Sequence, residues 1–324
     1  LSRNTERNLR LSQSSVFYYT QGLDDPVLKR TPDYSTDLYP SMLITDVQNE
    51  IMPYTLHKES SLSVYVSPSD PRTEELVTIA LKRRNHASDL QSAVSDFLRE
   101  CVQVIMTYGL AAYEVAYLVE KKTETEVGFR LSLVPPKALI HDGKLRQYVP
   151  PDIAEKLNVS QYIDLPRENV FLFEHPSFTA SKITQMMNSL SLLSKAVPSL
   201  LLGGFSGTSG KPFDVGVPSP SLEKSVLAQV TRLIGWNARG LFNEEISEFY
   251  QFHRLLLFHK FVTELRNALL SKMNDSFRVA GGRLGFSVEL RIEGLPTIQD
   301  LEEAISRLTA GGYPFGEFVT KFGA

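Results

Sequence analysis

The stretch LRECVQVIMTYGLAAYEVAYLVE, residues 98–120, changes its hydrophobic period in the middle, and that change decides the fold class. Upstream of Gly109, the residues Leu90, Val94, Phe97, Leu98, Cys101, Val102 and Ile105 recur at helical spacing and fall on one face of a helix expected over 88–108. Ser88 reads as its N-cap, with Gln91 three residues on, and Gly109 as the left-handed residue that stops it. Downstream, AAYEVAYLV (111–119) alternates with period two, the pattern of a strand. A long amphipathic helix therefore feeds straight into a sheet.

The sheet pattern continues outward from there. KTETE (122–126) is a polar hairpin tip, GFRLSLV (128–134) returns, Asp142-Gly143 marks a second hairpin between ALIH and KLRQYV, and ENVFLF (168–173) reads as a further buried strand. Pro150-Pro151 and a short helical DIAEKL separate the last two. Strands follow one another without βαβ alternation, so the class is α+β, with mixed antiparallel strands and several long helices. On the N-terminal side, helices are expected within 41–56 and over 74–84, with a strand at 62–66 between them. Residues 1–40 are polar and broken by Pro26, Pro32 and Pro40, an arm with little core of its own.

The C-terminal half is helical. Residues 179–202 are apolar and interrupted by Pro198, 203–221 (GGFSGTSGKPFDVGVPSPS) form a Gly/Ser/Pro loop, 222–236 are amphipathic, and 243–277 make a helix of unusual length. Gly281-Gly282 is expected to close that helix. A strand follows at 283–292, and Thr297 and Asp300 cap a final helix to about 308. Five regions result: an arm at 1–40, an α+β region at 41–178, helices with an intervening loop at 179–236, a helix break, long helix and returning strand at 237–296, and a helical end at 297–324.

Composition excludes several functions. One cysteine, Cys101, cannot form a disulfide framework or a multi-cysteine zinc module, and its place on the apolar helix stripe predicts burial. The longest apolar runs are far short of the ~18 residues of a membrane span. With 34 basic against 37 acidic residues, the chain is not a polybasic nucleic-acid binder, and any DNA contact is local or weak. The chain starts at Leu1, not methionine, which is expected of a trimmed sequence.

Catalytic patterns are missing too. GGFSGTSGK (203–211) fails as a phosphate loop because Phe205 stands where the first glycine belongs and Pro212 where Ser or Thr should follow the lysine. His253 and His259 are six apart on a helix, so no metal pair forms, and no nucleophile elbow occurs. Glu244/Glu245 and Glu302/Glu303 sit in first turns, where the helix dipole accounts for them. No enzyme activity, metal or cofactor is expected. Basic and polar side chains near loops remain, Lys211, Lys224, Arg232, Asn237 and Arg239, with Lys260 and Arg266 further along. Copied around a ring, such residues would contact phosphates without reading sequence. Trp236 is expected to pack the corner between two helices. Phe249, Phe252, Leu256 and Phe261 of the long helix are the candidates for contact between subunits.

The order of elements resembles the portal proteins (head-tail connectors) of tailed bacteriophages. The likeness lies in the helix, YG and strand passage at 98–120, in LVPPKALI (133–140) with the hairpins after it, and in the strand and HPS step VFLFEHPS (170–177). It continues in the apolar helix, loop, helix, break and very long helix that follow, and in the tail TIQDLEEAISRLTAGGYPFGEFVTKFG (297–323). The resemblance implies a wing-like region at 41–176, stem-like helices at 179–202 and 222–236, a clip-like segment at 203–221, a tunnel-loop region at 235–243 and a wing-crossing helix at 244–277. It implies a ring homo-oligomer, usually a dodecamer, at one capsid vertex of the virion, assembled in the host cytoplasm. Double-stranded DNA would pass through it without sequence specificity during packaging and ejection. Its partners would be the terminase large subunit, a head-tail adaptor and the major capsid or scaffold protein, with no membrane involved. The clip departs from the family, whose clip contains strands, because only about 19 residues are available here. The other reading of the same helices is a non-enzymatic scaffold or adaptor that binds proteins and has no DNA channel.

Overall fold

The computed structural model describes residues 9–11, 16, 34, 36–53, 62–82, 89–196, 220–240 and 247–311. In chain order its elements are β1 (Leu9–Leu11), α1 (Leu38–Ile51), β2 (Ser63–Ser67), α2 (Pro71–Leu81), α3 (Leu90–Tyr108), β3 (Ala111–Glu120), β4 (Glu126–Leu133), β5 (Leu139–His141) and β6 (Leu145–Tyr148). Then come α4 (Pro151–Leu157), β7 (Tyr162–Asp164), β8 (Val170–Phe173), α5 (Ala180–Ala196), α6 (Pro220–Val230), α7 (Glu248–Leu284), β9 (Glu289–Glu293) and α8 (Ile298–Thr309). Among the described residues every strand pairing is antiparallel, and the fold is α+β.

The chain divides into two compact units, neither of them a continuous stretch. The first takes 1–32, 54–176 and 266–295, and the second takes 33–53, 177–265 and 296–324. This differs from the consecutive regions read from sequence: 41–53 leaves the α+β region for the helical unit, and α7 contributes residues to both. Pattern along a chain marks elements, whereas the grouping of elements is set by which apolar faces meet.

In the first unit β3 is the centre. It pairs with β4 from Tyr113↔Leu133 to Val119↔Glu126, with a register shift between Leu118 and Val119. A strand has two edges, so β8 and β1 share the other: β8 pairs at Ala111 to Glu114, and β1 at Leu118 to Glu120. Residues 9–11 of the expected loose arm thus complete the sheet, and Val16 is buried nearby with Ala112, Val134, Leu145, Leu165 and Val170. On the opposite face, Tyr113, Val115 and Tyr117 alternate beside Leu131 and Phe129. Phe97 of α3 lies 4.9 Å from Tyr113 and 6.0 Å from Phe173, centroid to centroid, and Phe129 lies 5.9 Å from Phe277 of α7. Each such ring contributes roughly 1.5–3 kcal/mol by burial and about 0.5–1.5 kcal/mol more by ring geometry. Cys101 is buried in the same layer, its Sγ 3.5 Å from the Tyr113 hydroxyl.

Helix boundaries follow their caps. α3 ends as expected at Gly109 (φ 84°), whose N–H donates to Ile105 O. Its N-cap is Asp89, one residue beyond Ser88, because the carboxylate accepts from Ser92 N at 2.8 Å and complements the dipole as well. Thr297 and Asp300 form the expected capping box on α8. The long helix ends later than its glycine pair indicates. Gly281 and Gly282 remain helical and Gly285 (φ 74°) makes the stop, so the expected strand at 283–292 shrinks to β9. Gly281 serves packing: a Cβ there would stand 2.3 Å from Phe286 O, which turns back over the last turn. β9 pairs with β2 on one edge. On its other edge Asn274 of α7 donates Nδ2–H to Leu290 O (3.1 Å) and accepts from Leu290 N (2.8 Å), in the manner of a neighbouring strand.

The second unit is helical. α1 packs against α5, where Tyr34 Oη donates to Asn188 Oδ1 at 2.7 Å and Asp37 accepts from Ser191 and pairs with Lys195. The Tyr39 hydroxyl donates to Glu223 of α6. The first half of α7 buries Leu256 against Leu301, Ala304 and Leu308 of α8, with Lys260 and Glu302 bridging the two at 2.7 Å. α7 has 37 residues and is about 55 Å long. Among the described residues no helix is long and apolar enough to cross a membrane.

Candidate functional site

Of the residues expected to meet phosphates, Arg232, Asn237 and Arg239 lie at a corner that follows α6. α6 stops at Val230, six residues before the helix end expected from the pattern, and the chain turns through 231–235 into Trp236. Gly235 (φ 71°) makes the approach possible: a Cβ there would meet Arg254 O at 2.2 Å, Leu257 Cβ at 2.6 Å and Phe258 N at 2.9 Å, mostly backbone that cannot yield. Trp236 is 1% exposed, packing the corner as its position suggested.

Two charged groups fix the turn. Asp46 of α1 accepts from Trp236 Nε1–H at 2.8 Å with one carboxylate oxygen and from Arg239 Nε–H at 2.8 Å with the other. Arg254 of α7 is 2% exposed, and its guanidinium donates to Ala228 O (3.2 Å), Thr231 Oγ1 (2.7 Å) and Trp236 O. Two of those acceptors belong to the last turn of α6 and the residue after it, so the negative end of that helix faces the cation. Its charge is further met by the face of Tyr250, 5.8 Å away. Between these clamps Ala238 (φ 51°) and Arg239 (φ 56°) are both left-handed, a conformation costing roughly 1–2 kcal/mol for each such residue. Ala238 is fully buried, and Asp46 holds Arg239, so the surroundings over-determine the strained turn.

No family model and no curated protein matches the chain. Among solved structures, the chain is similar to one from the neck of an empty GTA particle, computed with C6 symmetry: 12% identity, TM-score 0.43, covering 87% of this chain and 91% of that one.

The predicted residues separate into distinct environments. Arg239 is ion-paired with Asp46, Arg232 is exposed with no acidic partner among the described residues, and Asn237 and Lys224 are half-buried. Lys211 and the clip-like loop lie outside the described residues, as do Glu244 and Glu245. Of the four candidates for subunit contact, Phe249 is 41% exposed and Phe252 half-buried. Leu256 (0%) and Phe261 (2%) are corrected: they are enclosed within the chain, Leu256 by α8 and Phe261 by Phe178 at 5.3 Å. His253 stacks on Phe249 while His259 meets Glu50, so the two histidines do serve different faces. Among the described residues no group of three or more His, Cys, Asp or Glu side chains converges as a metal site would require.

Sequence reasoning did not single out Asp46 or Arg254. Asp46 lies 190 residues from Trp236 and looks like any solvated helix acid. Arg254 carried a usable signal: it stands four and seven residues before Phe258 and Phe261, on the buried stripe of α7, where a cation needs a dedicated set of acceptors.

Proposed function

We propose that the chain is the subunit of a portal-type ring at one vertex of a tailed-phage capsid, a non-enzymatic conduit for double-stranded DNA during packaging and ejection. The ring would also dock the terminase and the head-tail adaptor, and contact the capsid or scaffold protein. The observation that carries this reading is the order of elements: a helix stopped at Gly109, the β3 and β4 hairpin, the β5 and β6 hairpin, α4, β7, β8 followed by His175-Pro176-Ser177, then α5, α6, a strained corner, a 37-residue helix, β9 and a capped helix. With the clip-like segment at 203–221 outside the described residues apart from 220 and 221, this order supports the portal reading.

The charges suit a conduit. Arg239 is neutralised by Asp46, and the chain as a whole carries a net charge of −3, so any DNA hold is weak. A channel must let phosphates slide, and each unbalanced cation adds a salt-labile contact that slows them. Arg232, Asn237 and Arg239 are assigned to the region near the ring axis. The test is negative-stain microscopy with light scattering on the purified protein at high concentration. The expected result is a closed ring with an axial hole wide enough for a duplex. A monomer or dimer sinks the proposal, and a ring or bundle without a hole replaces it with the scaffold or adaptor reading.

A further inference from the structure

An apolar groove of about 340 Å³ opens on the second unit between α5 and the end of α6, lined by Phe178, Met186, Val230, Leu233 and Ile234 with Lys182 at its rim. Leu233 is 70% exposed, and so is Leu192, which follows the groove residue Ser189 by three positions on α5 and prolongs the same face. A single exposed leucine is unremarkable, but two that continue an apolar groove make a patch of the kind that partners cover. The same unit carries a complementary projection at the start of α7, where Phe249 (41%) and Tyr250 (37%) are exposed beside Glu248.

Three observations join the two. First, charge: among the described residues, Lys182 and Arg232, next to Leu233, have no acidic partner, and Glu248 has no basic one. Second, rigidity: Phe249 stacks on His253 at 8° and Tyr250 lies against the buried Arg254, so the projection is held in place before anything binds. Third, placement: Arg254 anchors Tyr250 on the Ala228 face of α6, whereas the groove uses Val230, about 200° around that helix.

Resting on the ring reading above, we propose that Glu248, Phe249 and Tyr250 of one copy dock into the Leu233 groove of the next. Projection and groove are different surfaces of one unit, so the contact is head-to-tail, the kind that closes into rings.

Leu233→Cys and Phe249→Cys variants test this, since the native Cys101 is buried. Under mild oxidation with diamide, each variant alone is expected to stay uncross-linked, their mixture to give a dimer band, and the double variant to give a ladder of oligomers. A ring that assembles without any cross-link in the mixture overturns the docking and leaves the ring reading standing. Self-linking of either single variant, or a cross-linked monomer of the double variant, also overturns it. A protein that never assembles ends both. As a second measurement, Leu233→Asp should keep the native circular dichroism and raise the concentration needed for assembly about tenfold or more. Unchanged assembly would refute the groove.

Discussion

Around β3 the first unit buries Phe97, Tyr113, Phe129 and Phe173, and the layer asks for few polar contacts: the Tyr113 hydroxyl donates to Glu100 and receives Cys101. Around Trp236 the second unit also buries large side chains, but here nearly every polar atom has a named partner, and two residues are held left-handed by those partners. Apolar packing degrades by degrees as atoms are removed, because each contact is small. A corner built on Asp46, Arg254 and Gly235 is all or nothing, since removing one group leaves its partners buried without hydrogen bonds.

Trp236 is the only tryptophan, so its emission reports the second unit while far-ultraviolet circular dichroism reports both. The largest effect should come from Phe97→Ala, about 3–5 kcal/mol by loss of a buried ring, read as a lower urea midpoint by circular dichroism. Gly235→Ala should cost about 3 kcal/mol, through a left-handed alanine whose Cβ collides with backbone of α7, and should shift the Trp236 emission to the red. If both variants move the two signals identically, the contrast between the units is broken.

Smaller changes sharpen it. Asp46→Ala should cost about 2 kcal/mol, leaving the indole N–H without its acceptor and Arg239 without its counter-charge. Its signature is Trp236 emission that changes at urea concentrations where circular dichroism is still native. The smallest effect is confined to alkaline solution. Burial, then the hydrogen bond and charge of Glu223, push the Tyr39 phenol above its ordinary value of 10.0. The folded chain keeps that proton when the unfolded chain has lost it, so stability is full below pH 10 and falls as pH rises beyond it. Tyr39→Phe should flatten that alkaline decline, measured as urea midpoint against pH; an unaltered slope assigns the decline to other groups.

The same contrast governs how much was legible in the sequence. Period and caps located α3, β3, β4, the Asp142-Gly143 hairpin, α4 and α8 because those signals lie within a few residues of what they describe. The errors fall where a distant partner decides. Gly281-Gly282 looked like a stop and is a contact surface for Phe286; Leu256 and Phe261 looked available to a neighbouring subunit and are covered by α8 and Phe178. At the corner, Trp236 and Arg239 were visible as unusual residues at a break. The carboxylate that joins them stands 193 residues from Arg239, and no local pattern records such a distance.

Asn274 carries a consequence for assembly. Its amide occupies both backbone groups of Leu290, so the outer edge of β9 is already closed at that residue by the chain's own helix. An incoming strand from another copy would first have to displace that side chain. A ribbon of copies paired along β9 would be interrupted at Leu290, so any association on that side falls to side-chain surfaces instead.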